Sequence, residues 1–133
     1  MTTWNVQMLV NTSRRPESWL TGYAAGDPLA TLPHLAFTVD TDDPAAAPDA
    51  LWGVGQKVGT DATGKTWPRW VRSLSIGDVA VVTSPTGEPA GCYRAVTFGW
   101  EPIEGIPPFQ TSLDALVQAG AAAPETEHGK YQP

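Results

Sequence analysis

Residues 72–103 read RSLSIGDVAVVTSPTGEPAGCYRAVTFGWEPI. Ser73-Leu74-Ser75-Ile76-Gly77-Asp78 leads into the apolar run Val79–Thr83, and a second alternating stretch, Gly91–Phe98, ends in Gly99-Trp100. Runs rich in β-branched and aromatic residues, bounded by Gly, Pro, Ser and Asp, predict a β-hairpin with arms Val79–Thr83 and Gly91–Phe98. Ser84–Pro89 is too long for a two-residue turn and too proline-rich to continue a strand. Alternation places Cys92, Arg94, Val96 and Phe98 on one face of the second arm, and Tyr93, Ala95 and Thr97 on the other.

The hairpin needs further strands and helices to cover it, and the upstream sequence supplies them. In residues 3–11, Trp4, Val6, Met8 and Val10 alternate with Asn5, Gln7 and Asn11, with Leu9 as the exception, which predicts a strand with one wet face. Ser13–Leu20 suits one or two helical turns. A second strand is predicted over His34–Asp40. Thr41-Asp42-Asp43-Pro44 is a helix-start signature, with carboxylates at the positive end of the dipole and proline in the first turn. It opens a helix predicted over 44–58 and weakened by Pro48, Gly53 and Gly55. A short strand is expected from Trp70 to Leu74.

Downstream, Pro102, Pro107 and Pro108 predict irregular chain over Glu101–Gln110. Thr111-x-x-Asp114 resembles a capping box, with Leu113, Leu116 and Val117 as the apolar stripe of a helix stopped by Gly120. The expected fold is α+β, a mostly antiparallel four- to five-stranded sheet with two or three short packed helices. Residues 1–120 are read as a single globular domain and 121–133 as a flexible C-terminal tail.

The chain has 133 residues and a net charge of −6, so as a whole it repels phosphate backbones and anionic membrane surfaces. The charge is uneven. Between residues 57 and 72, Lys57, Lys65, Arg69 and Arg72 stand against Asp61 alone, and a nucleic-acid role would use these four cations. One cysteine, Cys92, excludes an intramolecular disulfide and a Cys-based zinc site. Met1–Pro16 has neither a charged n-region nor a long apolar h-region, and no apolar run approaches membrane-spanning length. The protein is expected to be cytoplasmic, without membrane, metal or cofactor.

Candidate chemistry is sparse. His34 and His128 lack companions at metal-ligand spacing. Ser73, Ser75 and Asp78 are read as strand-entry chemistry, since no Gly-x-Ser-x-Gly pattern surrounds them. Gly59-x(4)-Gly64-Lys65-Thr66 satisfies the phosphate-loop string, but Pro68 breaks the helix that must follow it. Six tryptophans are present, and Trp52, Trp67 and Trp70 flank the basic segment. Aromatics between cations make a stacking platform for bases or a protein-binding hot spot. The binding residues are therefore placed at Trp67, Arg69, Trp70 and Arg72, with Tyr93, Arg94 and Trp100 at the open end of the hairpin. No catalytic residue is assigned.

The strings Ser73–Val79 and Tyr93–Trp100 resemble the YodL-like domain, a domain of unknown function found in phage, plasmid and integrative-element proteins. The resemblance covers residues 72–103. It implies a small non-enzymatic accessory or regulatory protein of a mobile element that binds a host or element-encoded protein, or nucleic acid. A weaker likeness, in the Gly77-Asp78-Val79 strand opening, is to PUA-like and ASCH-like barrels. That alternative implies a small-molecule, nucleobase or RNA-binding domain, with or without hydrolysis, and a pocket near Tyr93, Arg94, Asp78 and Trp100.

Overall fold

A computed structural model describes residues 2–13 and 15–122. The expected tail lies almost wholly outside them. The fold is α+β, with a mostly antiparallel sheet and short helices. Among the described residues the sheet has seven strands, more than the four or five expected: β1 (Thr3–Asn11), β2 (Leu29–Thr31), β3 (Ala36–Asp40), β4 (Val79–Thr83), β5 (Pro89–Val96), β6 (Gly99–Pro102) and β7 (Gln110–Thr111). Strand order is β6-β5-β4-β1-β2-β7, and β3 also pairs with β1. β1 is long enough to serve three partners, β4 along one side and β3 and β2 end to end along the other. The β2–β7 pair alone runs parallel among the described strands.

The alternation in β1 holds, and Leu9 explains itself. Val6, Met8 and Val10 join Phe37, Val39, Ala80 and Val82 in a main core on one face of the sheet. Leu9 instead joins Tyr23, Leu29, Val79, Val81 and Cys92 in a second core on the opposite face. The face expected to be wet is thus wet only toward the start of β1, and even Asn11 is buried.

Helices α1 (Pro16–Thr21), α2 (Ala47–Ala50), α3 (Trp52–Gly55) and α4 (Leu113–Ala122) are short. The predicted 44–58 helix is broken into a 3-10 turn at Pro44–Ala46, then α2 and α3, with Leu51 out of helical geometry between them. Its start is as read: Asp43 accepts a bond from the Ala45 amide at 2.9 Å. Leu51 and Val54 enter the main core, while Val58 stays exposed. In α4 the cap is Ser112 and not Thr111, its hydroxyl accepting from the Ala115 amide. Gly120 does not stop that helix, and Leu116 and Ala119 are buried while Leu113 and Val117 face outward.

Three further expectations are corrected. Pro33–Leu35 forms a 3-10 turn, so the strand expected from His34 begins at Ala36. Trp70–Leu74 is irregular, because the Val71 amide bonds back to the Pro68 carbonyl and the Trp67 indole donates to the Arg72 carbonyl at 3.0 Å. Finally, Phe98-Gly99 does not end the second arm but turns it. Val96 pairs with Gly99 across Thr97-Phe98, and Gly99 takes φ 110°, a backbone conformation that glycine adopts without the penalty other residues meet. The chain read as irregular over Glu101–Gln110 accordingly contains the end of β6 and the first residue of β7.

Candidate functional site

The strand-entry residues build an internal polar lock. Gly77 has φ 102°, and a Cβ there would lie 2.7 Å from the Ser18 carbonyl oxygen, so only glycine lets the two segments touch. This contact sets Asp78 inside the fold, where its carboxylate accepts from the Asn11 amide (2.8 Å), the Ser75 amide (2.8 Å) and both terminal nitrogens of Arg72 (2.6 and 2.9 Å). Arg72 also donates to the Ser73 and Asn11 carbonyls, and its guanidinium lies 4.8 Å over the Trp19 ring. Both side chains of the pair are nearly inaccessible, at 2% and 0%.

Asn11 extends the network to Asp27, whose carboxylate also receives Arg15 through two nitrogens at 2.9 Å, Ser18 and the Ala24 amide. Burial alone would raise the Asp27 pKa. The bonds from Arg15, Ala24, Asn11 and Ser18 outweigh it and hold the carboxyl down at about 2.

The phosphate-loop string has a different use. Asp61 Oδ1 accepts from the amides of Thr63 and Lys65 and from the Thr63 hydroxyl, while Oδ2 accepts from the Thr38 amide at 2.8 Å. A carboxylate of the chain itself thus occupies the place an anion would take. Against the cost of burial, these bonds lower the Asp61 pKa. Lys65 Nζ donates to the Pro33 and Ala36 carbonyls and lies 5.0 Å over the Phe37 ring. Residues 61–65 therefore cover the outer edge of β3.

The predicted binding residues divide. Trp67 is 3% exposed and stacks on Phe37 with ring centres 5.7 Å apart, so it belongs to the core. Arg72 belongs to the polar lock. The turn at Pro68–Val71 is what separates the two rings, burying Trp67 and leaving Trp70 45% exposed, edge-on to His34. Arg69 is exposed beside it. Lys57 Nζ donates to the Arg69 carbonyl. Next to His34, Pro33, Lys65, Thr66 and Pro68 line an open, largely apolar groove of about 440 Å³.

At the other end of the sheet, Tyr93 and Arg94 point to opposite faces. Tyr93 packs on the main core, while Arg94 donates to the Tyr23 carbonyl and to Glu101, at 2.6 Å for the nearer nitrogen. With Asp78 enclosed and Tyr93 turned away, the four residues expected to converge on one pocket do not. Arg94 and Trp100 do share a surface depression with Leu20, Thr97, Phe98 and Glu101. Trp100 meets Trp52 edge-on at 6.2 Å, and Asp49, Trp52 and Trp100 line an adjoining hollow.

Phe98 is 97% exposed at the tip of the β5–β6 turn, and Leu20 and Trp52 are exposed near its base. Sequence reading missed Phe98 by assigning it to a strand face. The signal was the following Gly99, which marks the left-handed turn position. Comparison of the chain with family models, curated proteins and solved structures finds no match.

Proposed function

We propose that this chain is a small non-enzymatic binding protein of the cytoplasm, an accessory or regulatory component of a mobile element as its YodL-like block implies, and that it acts by docking a protein through the β5–β6 turn. The observation that carries this reading is Phe98, a fully projecting aromatic ring on a turn fixed by strand pairing on both sides. Leu20, Trp52 and Trp100 surround its base, giving the aromatic anchor and apolar surround typical of interface centres. Asp27, Asp61 and Asp78 are meanwhile engaged in internal bonds that position the chain.

The test is cross-linked capture from the natural host with wild type, Phe98→Asp and a control, Phe109→Asp, that alters an exposed aromatic elsewhere. Proteins captured by wild type and by the control but lost with Phe98→Asp support the turn as the contact surface. Identical capture by all three rejects it.

A further inference from the structure

We propose that the hollow between Asp49, Trp52 and Trp100 receives an ammonium group, the end of a lysine side chain on the protein that docks at the β5–β6 turn. The inference rests on the reading of that turn as a docking surface, and it names the chemistry the partner must bring. Two separate parts of the fold build the hollow. Leu51 and Val54 are buried in the main core, which leaves Trp52 between them at the surface. Trp100 is set by β6, where it pairs with the fully buried Ala95 and lies partly against the same core. The two indoles stand at 80° with ring centres 6.2 Å apart, and Val96, Thr97 and Gly99 complete a hollow of about 190 Å³.

The lining attracts positive charge. The face of an aromatic ring is the negative part of its quadrupole, and a cation within about 6 Å of the ring centre is drawn to it, most strongly by tryptophan. Two indole planes near a right angle turn both faces toward one compact cation, whereas a flat guanidinium stacks on a single ring. Asp49 adds a full charge. Its carboxylate, exposed on α2, has no hydrogen-bond or ion-pair partner among the described residues, and no Lys or Arg lines the hollow with it. Arg94, in the neighbouring depression, is already occupied by Glu101 and the Tyr23 carbonyl. The chain therefore does not neutralise this carboxylate itself, and the net charge of −6 adds to its pull on a cation at longer range.

Size decides whether the cation arrives free or attached. Small-molecule pockets run to about 300–1,000 Å³, so a hollow of about 190 Å³ takes one head group and leaves its carrier outside. Outside lies the depression of about 330 Å³ beside Phe98, and the two share Val96, Thr97 and Trp100. A protein seated on Phe98 and Leu20 thus reaches the hollow across the Trp100 ring, which the apolar stem of a lysine can cover while its charged end goes on to Asp49. Phosphate groups are repelled by the same carboxylate. Asp49 also belongs to no cluster of potential metal ligands among the described residues.

The experiment is a two-dimensional NMR titration of the full nitrogen-15-labelled chain, read at its six indole N–H signals. N-acetyl-lysine methylamide and tetramethylammonium chloride are expected to shift the Trp52 and Trp100 signals saturably, with millimolar dissociation constants. Sodium chloride and tert-butanol, the uncharged counterpart, are expected not to. Asp49→Asn and Trp52→Leu should each weaken the lysine amide about threefold or more, with circular dichroism verifying the fold. Asp49→Lys, which sets a cation of the chain's own at the hollow, should abolish binding and replaces Trp52→Leu if the latter unfolds. In cross-linked capture, Asp49→Lys should lose the proteins that Phe98→Asp loses.

The lack of a saturable shift with the ammonium probes overturns the proposal. So does tert-butanol moving the same signals, or N-acetyl-arginine methylamide binding more tightly than the lysine amide. Tetramethylammonium binding without lysine binding assigns the hollow to a free quaternary ammonium compound and overturns the lysine. Proteins lost with Phe98→Asp yet kept by Asp49→Lys leave the docking function standing and overturn this inference alone. Lysine-amide binding to a chain whose capture Phe98→Asp does not change rejects docking at the turn, and the partner's lysine with it, while the ammonium site itself stays.

Discussion

Removing the carboxylate of Asp78 tests the polar lock most directly. Asp78→Ala strands the Arg72 guanidinium in a site of 2% accessibility and leaves the Asn11 and Ser75 amides without their acceptor. Breaking one side of a buried ion pair costs about 3–5 kcal/mol, and two unsatisfied amides keep the expected loss at the upper end, about 5 kcal/mol. Against a typical domain stability of about 5–15 kcal/mol, that is a third or more of the total. With a urea dependence of about 1.5 kcal/mol per molar, the unfolding midpoint should fall by about 3 M.

Arg72→Met should cost a comparable amount by exposing the same carboxylate to an apolar neighbour. The double variant Arg72→Met/Asp78→Ala should lose clearly less than the sum of the two single losses, because no unpaired charge remains, although the Asn11 and Ser75 amides still lack their acceptor. Urea unfolding followed by tryptophan fluorescence, analysed as a double-mutant cycle, measures the coupling, expected to be at least about 2 kcal/mol. Single variants within about 1 kcal/mol of wild type, or an additive cycle, would refute the reasoning.

Three other outcomes are expected. Asp27 has a folded pKa of about 2 against an ordinary 3.8, so its stabilisation is complete above pH 3.8 and is lost as the pH falls through 2. After discounting for screening at the half-open Arg15, this is on the order of 1–2 kcal/mol. Asp27→Asn should lower the neutral-pH urea midpoint and remove that share of the acid loss, and equal acid slopes in both proteins would contradict it. Gly77→Ala should destabilise by roughly 2–4 kcal/mol through left-handed strain plus collision with Ser18. Gly26→Ala, at φ 96° with open space around it, should cost only about 1 kcal/mol, and equal losses in urea titrations would deny the close approach. Burial pushes the Cys92 thiol up to about 11, so a disulfide reagent at pH 8 should label it only at the rate of unfolding, and prompt labelling of native protein would show the site to be open.

The β4–β5 core was legible from residues 72–103 because period-two alternation and bounding Gly and Pro agree there. Helix starts at Asp43 and near Pro16 were legible for the same reason, local chemistry matching local geometry. What stayed hidden depends on distant partners. β6 contains Gly99 and Pro102, and only its pairing with β5 makes it a strand. Leu9 looked anomalous until a second core lay behind it. Trp67 and Trp70 could not be sorted from sequence, because a single turn at Pro68–Val71, closed by the Trp67–Arg72 bond, decides which ring is buried. Arg72 was read as a surface cation, and its carboxylate six residues away was read separately as a turn former.

The position of β1 has a consequence for how the molecule comes into being. β1 is central in the sheet and precedes all of its partner strands in the sequence, and the residues that must line up on it lie 37 positions away in β3 at one pair and 78 away in β4 at another, Thr3–Asp40 and Asn5–Thr83. Val6, Met8, Leu9 and Val10 are covered in part by residues that precede the β4–β5 hairpin, such as Tyr23, Leu29, Phe37 and Leu51, and gain the rest of their cover only when that hairpin follows. Such long-range pairing places the refolding rate among the slower mixed α/β domains. It also leaves the edge of β1 that β4 fills unpaired until residues 79–83 have been made, an exposed strand edge of the kind chaperones cover.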